Sequence, residues 1–181
     1  TSTSTSSGIG TGALTITPVP MPDDVEVVVQ FIAHRTLVGS AYADRVAECA
    51  TAEALIGPLR TATGDAAASI DDAVVRRRAM HVVAENQRVL AFADALRAGD
   101  LASAGALMVA SHESLRDLYE TSTPVMDAAV ERTCATPGVW GARMTGGGFG
   151  GCIVALAEPG ALREGWVVHA VDGAQVLEGR S

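Results

Sequence analysis

From Arg143 to Cys152 the chain reads RMTGGGFGGC, with glycine at 146, 147, 148, 150 and 151. Glycine loses more conformational freedom on folding than any other residue. So dense a run belongs where the backbone takes φ > 0, or where a ligand or a second backbone comes very close. Its successive bare N–H groups would also suit an anion or a phosphate. The run contains a GxGxxG spacing at Gly146, Gly148 and Gly151. A dinucleotide fingerprint, however, follows a strand and opens a helix. Here CIVALA (Cys152 to Ala157) follows, an apolar strand pattern, which excludes that reading. A tight strand-to-strand connection and a ligand loop both fit the composition.

All 13 basic residues are arginine, and there is no lysine. That excludes a Walker-type P-loop and a protein-kinase site, which place a lysine on the phosphates, and a pyridoxal Schiff base. With 21 acidic residues the net charge is −8, the opposite of a nucleic-acid footprint. No apolar run is long enough to span a membrane, and the start lacks the basic and apolar regions of a signal peptide. Cys49, Cys134 and Cys152 stand far apart with no zinc spacing, so no metal site is expected. They read as buried free thiols of a cytoplasmic protein. The chain opens on Thr1 rather than Met, as a processed chain or a piece of something longer would.

Residues 1–22 read as a flexible Ser/Thr/Gly/Pro-rich lead-in and linker, although Ala13 to Val19 has a strand pattern. Residues 23–181 read as one domain. Val25 to Ile32 is β-branched and predicts a strand buried on both faces. Ser40 to Ile56 predicts a helix stopped by Gly57-Pro58. Asp71 to Ala98 predicts a long helix with Val75, Ala79, Val82, Asn86, Val89, Ala93 and Leu96 on one stripe. Gly99 ends it. Leu101 to Tyr119 follows, with Leu107, Ser111, Leu115 and Leu118 as its stripe. Thr123-Pro124 supplies an N-cap and a first-turn proline for a helix to about Ala135. Trp140 to Thr145, Cys152 to Ala157 and Trp166 to Val171 read as strands, with Asp172-Gly173 as a turn. Strands around a block of helices predict an α+β fold with helices on one face of a sheet.

Several polar residues are structural by their placement. Ser111 and His112 are adjacent on a helix and point apart, so spacing does not make them a nucleophile and its base. Asp127, and the pair Asp71-Asp72, sit where helix starts favour acids. Asp117 and Glu120 lie near a helix junction. Arg76 to Arg78 read as a solvated face or a salt-bridge row. Arg143 leads into the glycine run and suits a phosphate or a carboxylate. Tyr42 alone reads as an ordinary half-buried helix residue.

RMTGGGFGGC resembles the third signature of the galactokinases, in the superfamily of galactokinase, homoserine kinase, mevalonate kinase and phosphomevalonate kinase. SHESLRDLYETSTPVMDAAVE (Ser111 to Glu131), RAMHVVAENQRV (Arg78 to Val89), RTLVGSAYADRVAEC (Arg35 to Cys49) and VDGAQVL (Val171 to Leu177) resemble further segments of that family, in its order. The resemblance covers the family's C-terminal half from about Val25 onward. It implies a ferredoxin-like two-layer sandwich with a mainly antiparallel sheet. It implies that Tyr42 contacts a sugar, with Ala41 and Val46 departing from the family's usual Glu and Arg. It also implies that Thr145, Gly146, Gly147, Gly148, Phe149, Gly150 and Gly151 form the active-site glycine loop, with Arg143 as phosphate or loop support.

The family phosphorylates the 1-hydroxyl of galactose from Mg²⁺·ATP. Its phosphate-binding loop, magnesium ligand, catalytic aspartate and most sugar contacts lie in the N-terminal half. No catalytic or metal residue is therefore assigned here. The expected partners are galactose, ATP and the N-terminal domain of the same protein, with no nucleic acid and no membrane. The lone chain is expected to turn over little or nothing. The alternative is a non-catalytic sugar-binding or regulatory module related to galactokinase.

Overall fold

The computed structural model describes residues 17–35 and 41–169. The lead-in 1–12, residues 13–16 of the expected first strand, the RTLVGS stretch beyond Arg35, and the closing VDGAQVL segment with its Asp172-Gly173 turn lie outside the described residues. The elements are β1 (Glu26–Ala33), α1 (Tyr42–Ile56), α2 (Gly64–Ala68), α3 (Ala73–Ala98), α4 (Leu101–Asp117), α5 (Pro124–Cys134), β2 (Val139–Thr145), β3 (Gly151–Ala157) and β4 (Trp166–Val168).

Local chemistry sets most of these boundaries. Asp72 caps α3 by accepting from the N–H groups of Val74 (2.8 Å) and Val75 (2.9 Å). Gly99 ends that helix in the left-handed region at φ 69°, where a side chain would be strained. Asp100 then caps α4 through the Ser103 N–H (3.0 Å). Thr123 caps α5, with Pro124 at its first position. Each cap satisfies an N–H that the helix itself leaves without a partner.

The sheet has the order β2-β3-β1-β4, and every neighbouring pair is antiparallel. This is the strand order of a ferredoxin-like α+β sandwich, in which β1 is inserted between strands that follow it in the chain. Ala142, Met144, Ile153 and Ala155 share a core with Leu115 of α4 and with Met126, Ala129 and Val130 of α5, and Ile32 of β1 packs against it. A second core joins Leu156 to Ala95 and Leu96 of α3 and to Ala104 and Met108 of α4, with Met21 packed against it. A third lies between α1, α2 and α3.

Helix α4 runs unusually close to β2. A Cβ on Gly105 would overlap the Trp140 carbonyl, and one on Gly141 would overlap the Gly105 carbonyl. Only a glycine pair permits that backbone approach.

Four expectations are corrected. Residues 17–19 form no strand; Pro18 and Pro20 remove the N–H donors that pairing needs. β1 is not buried on both faces: Val28 is fully buried, whereas Phe31 is 48% exposed, because the helices leave part of that face open. The α3 stripe holds at Val75, Ala79 and Leu96, but Val89 is exposed, and Arg78, His81 and Val83 are buried as well. A polar seam toward α1 and α4 runs beside the apolar one. The three free thiols are only half-buried. Helix α2, capped by Thr63 Oγ1 on the Ala66 N–H (3.2 Å), has no counterpart in the sequence reading.

Candidate active-site wall

The glycine run is the tip of the β2–β3 hairpin, with Thr145 paired to Cys152 at its root. Gly146, Gly148, Gly150 and Gly151 all take positive φ, from 80° to 121°, and Phe149 takes 60°. The dense glycine is therefore a conformational requirement. At Gly148 it is also steric, since a Cβ there would lie 2.5 Å from the Thr121 carbonyl oxygen. That same carbonyl, on a residue only 1% exposed, accepts the Phe149 N–H at 2.8 Å. On the loop's other side, Arg35 Nη1 stands 2.6 Å from where a Gly146 Cβ would sit. An open cavity of about 420 Å³ lies there, lined by Phe31, Ala33, His34, Arg35, Thr145 and Gly146 among others.

Arg143 sits at the root of the loop. Its Nη1 donates to Glu85 Oε1 (2.9 Å) and its Nε to the Met144 carbonyl (3.1 Å). Of the two partners its position suited, the carboxylate is present. Glu85 also accepts from Ser111 Oγ (2.5 Å) and Arg88 Nε (2.8 Å). Burial pushes its carboxyl up, but the Ser111 and Arg88 hydrogen bonds and the Arg143 charge outweigh that and hold it below the usual range. Glu85 did not figure among the sequence candidates. It follows Arg78 and His81 on α3 at steps of three and four, a polar stripe that marks the buried face.

His112 is structural, as its place on α4 implied. Its Nδ1 accepts the Met144 N–H (3.3 Å), so the ring proton sits on Nε2, which faces Asp127 Oδ1 at 3.1 Å. Burial holds its pKa below the ordinary value, against the pull of Asp127. Asp127 also accepts from Ser122 Oγ (2.5 Å). Asp117 pairs with its neighbour Arg116.

Tyr42 is the first residue of α1 and is 42% exposed. One turn on, Arg45 donates to the Tyr119 carbonyl (3.2 Å) and lies 3.0 Å from Glu48. Arg78 is corrected from the solvated-face reading: it is 1% exposed. All three of its nitrogens are used, Nε on Glu48 (2.7 Å), Nη1 on the Leu118 carbonyl (2.5 Å) and Nη2 on Glu120 (2.6 Å). Arg77 reaches Glu120 as well (3.1 Å), so the salt-bridge row holds for these two. Arg76 instead donates to the Ile70 carbonyl (2.6 Å).

Beside this network His81 stacks on Tyr119, with ring centroids 4.5 Å apart, and its Nδ1 meets Ser114 Oγ at 2.8 Å. Burial lowers the His81 pKa to about 4. The Tyr119 phenol is pushed up by burial first, then by its contact with Cys49, and Tyr42 adds to the rise. The structure thus gathers the start of α1 and the glycine loop around the α4–α5 connection.

Among the described residues no group of His, Cys, Asp or Glu is placed to hold a metal ion, and no helix is long and apolar enough to cross a membrane.

Residues 92–166 match the model of the GHMP kinases C terminal. Human galactokinase is 50% identical over 115 residues, covering 56% of this chain and 29% of that protein. The Chloroflexus aurantiacus galactokinase is 42% identical over 159 residues, covering 82% of this chain and 40% of that protein. The chain therefore spans well under half the length of these relatives. The structure of Lactococcus lactis galactokinase complexed with galactose superposes with a TM-score of 0.70 at 36% identity, over 78% of this chain and 39% of that one. A mevalonate kinase from L. major shares the fold at a TM-score of 0.54.

Proposed function

Because the chain matches the C-terminal domain of the GHMP kinases and is similar to galactokinases through that portion alone, we propose that it is the C-terminal part of a galactokinase. The complete enzyme would transfer the γ-phosphoryl group of ATP to the 1-hydroxyl of galactose in the cytoplasm. The observation that carries this reading is the likeness to the Lactococcus lactis enzyme, a structure that holds galactose.

Phosphoryl transfer rests on positioning and charge stabilisation more than on covalent chemistry by the protein. This chain's share is positioning. The Tyr42 hydroxyl hydrogen-bonds the sugar, and its ring gives the sugar a flat wall. The glycine loop closes the site, because the absence of side chains lets its backbone approach whatever lies against it. Arg143, fixed by Glu85, supports the loop at its root. The described residues offer no carboxylate cluster of the kind Mg²⁺ needs. Metal, nucleotide phosphates and catalytic base would therefore be held by the N-terminal part found in the relatives, and the chain alone would turn over little or nothing.

The test is a fusion of this chain to the N-terminal part of the Chloroflexus aurantiacus galactokinase, assayed for galactose-dependent ADP release. The fusion should be active and the lone chain inactive. Tyr42→Phe in the fusion should raise the galactose KM about tenfold, the worth of one good hydrogen bond, and leave the ATP KM unchanged. A folded, monodisperse fusion with no galactose-dependent turnover would refute the kinase reading. An unchanged galactose KM in Tyr42→Phe would remove Tyr42 from the site.

A further inference from the structure

The four residues Leu118 to Thr121, between α4 and α5, touch both parts of the proposed site. Their carbonyl groups point in two directions. Leu118 accepts from Arg78 of α3, which also binds Glu48 of α1, and Tyr119 accepts from Arg45 of α1 itself. Thr121 accepts from Phe149 at the tip of the glycine loop (2.8 Å) and packs directly under Gly148. Between them stands Glu120, in the left-handed region at φ 53°, where a side-chain-bearing residue is uncommon. Its carboxylate meets Arg78 at 2.6 Å, Arg77 at 3.1 Å and Arg45 at 3.5 Å. Arg78 and Arg45 converge again on Glu48 in α1.

We propose that Glu120 is a positioning residue, and that the Leu118–Thr121 connection holds the Tyr42 end of α1 and the glycine loop in one register. The inference rests on the reading of Tyr42 and the loop as two walls of one site. Arg45 lies one helical turn beyond Tyr42, so a carboxylate that fixes Arg45 fixes the start of α1. The backbone turn that aims this carboxylate at the arginines also aims the next carbonyl at Phe149. Loosening Glu120 releases both ends at once.

Hydrogen exchange on this chain tests the coupling without any sugar. The reporters are the Arg45 amide, bonded to the Ala41 carbonyl (3.1 Å), and the Phe149 amide. The Ala104 amide, bonded to the Asp100 carbonyl (3.0 Å) at the far end of α4, is the reference. Glu120→Gln keeps the side chain's size. Glu120→Gly suits the backbone angle and removes the side chain with its carboxylate. In both, Arg45 and Phe149 should exchange about tenfold faster while Ala104 is unchanged. A purely structural salt bridge would speed all three alike through global opening. That result, a change at only one of the two reporters, or no change at either, would overturn the proposal. Joint loosening together with an unchanged galactose KM in Tyr42→Phe would uphold the coupling and refute the sugar reading.

Discussion

Replacing Gly148 with alanine tests the account of the glycine loop, and its cost can be worked out from two contributions. The first is conformational: at φ 80° an alanine costs about 1 kcal/mol relative to glycine. The second is crowding. The new Cβ would sit 2.5 Å from the Thr121 oxygen, 2.7 Å from the Thr121 Cβ and 3.0 Å from the end of Met144, where ordinary contact begins at 3.4 Å. Chain and loop must separate by most of an ångström, and the 2.8 Å bond from Phe149 to Thr121 goes with that movement. Losing the bond and its packing adds about 1–2 kcal/mol, for a total of about 2–3 kcal/mol. Gly99 supplies the control. It lies in the left-handed region at φ 69°, but a Cβ there meets nothing within 4 Å, so Gly99→Ala should cost only the conformational share, about 1 kcal/mol. Urea unfolding followed by circular dichroism measures both. With a slope of about 1–3 kcal/mol/M, the midpoint of Gly148→Ala should fall by about 0.7–3 M, two to three times the fall for Gly99→Ala. Equal losses in the two variants would show that crowding against Thr121 contributes nothing.

Three further outcomes are expected. The folded-state pKa of His81 lies near 4 and its unfolded value near 6.5, so the unfolded chain binds the extra proton between these pH values. Stability should therefore fall as pH drops through that window, by up to about 3 kcal/mol. Urea midpoints across the window should show a shallower decline in His81→Asn. Arg78→Ala strands Glu48 and Glu120 and empties a buried site, and should cost about 3–5 kcal/mol by the same assay. Arg78→Met, which refills the volume, should recover part of that loss. Thr123→Ala removes the α5 cap and should cost about 1 kcal/mol, read from the thermal midpoint.

Punctuation was the most legible part of the fold. Gly57, Gly99 and the Thr123-Pro124 pair act through short-range geometry, so their helix ends stand where the chain alone places them. The glycine hairpin was legible for the same reason. What lay out of reach depended on partners distant in sequence. Val89 and Phe31 are apolar and were expected inside, but among the described residues nothing covers them fully. Arg78 is polar and was expected outside, but Glu48, 30 residues earlier, and Glu120, 42 residues later, make its burial possible. Glu85 belongs to the same polar seam. Its partners Ser111 and Arg143 come from α4 and β2, and no local pattern joins them. Helix α2 is five residues long, too short for a periodic signal.

The choice of arginine at position 78 makes the joint between α1, α3 and the α4–α5 connection respond to pH on one side only. A guanidinium keeps its proton throughout any range in which the protein stays intact, whereas a buried lysine would shed its charge and go slack in mild alkali. The partner that titrates is Glu120. The hydrogen bond from Arg78 holds its carboxyl below the usual range, so protonating it takes more acid than a free glutamate needs. The joint is a latch with a single key: alkali leaves it closed, and acid alone releases the start of α1 together with the loop.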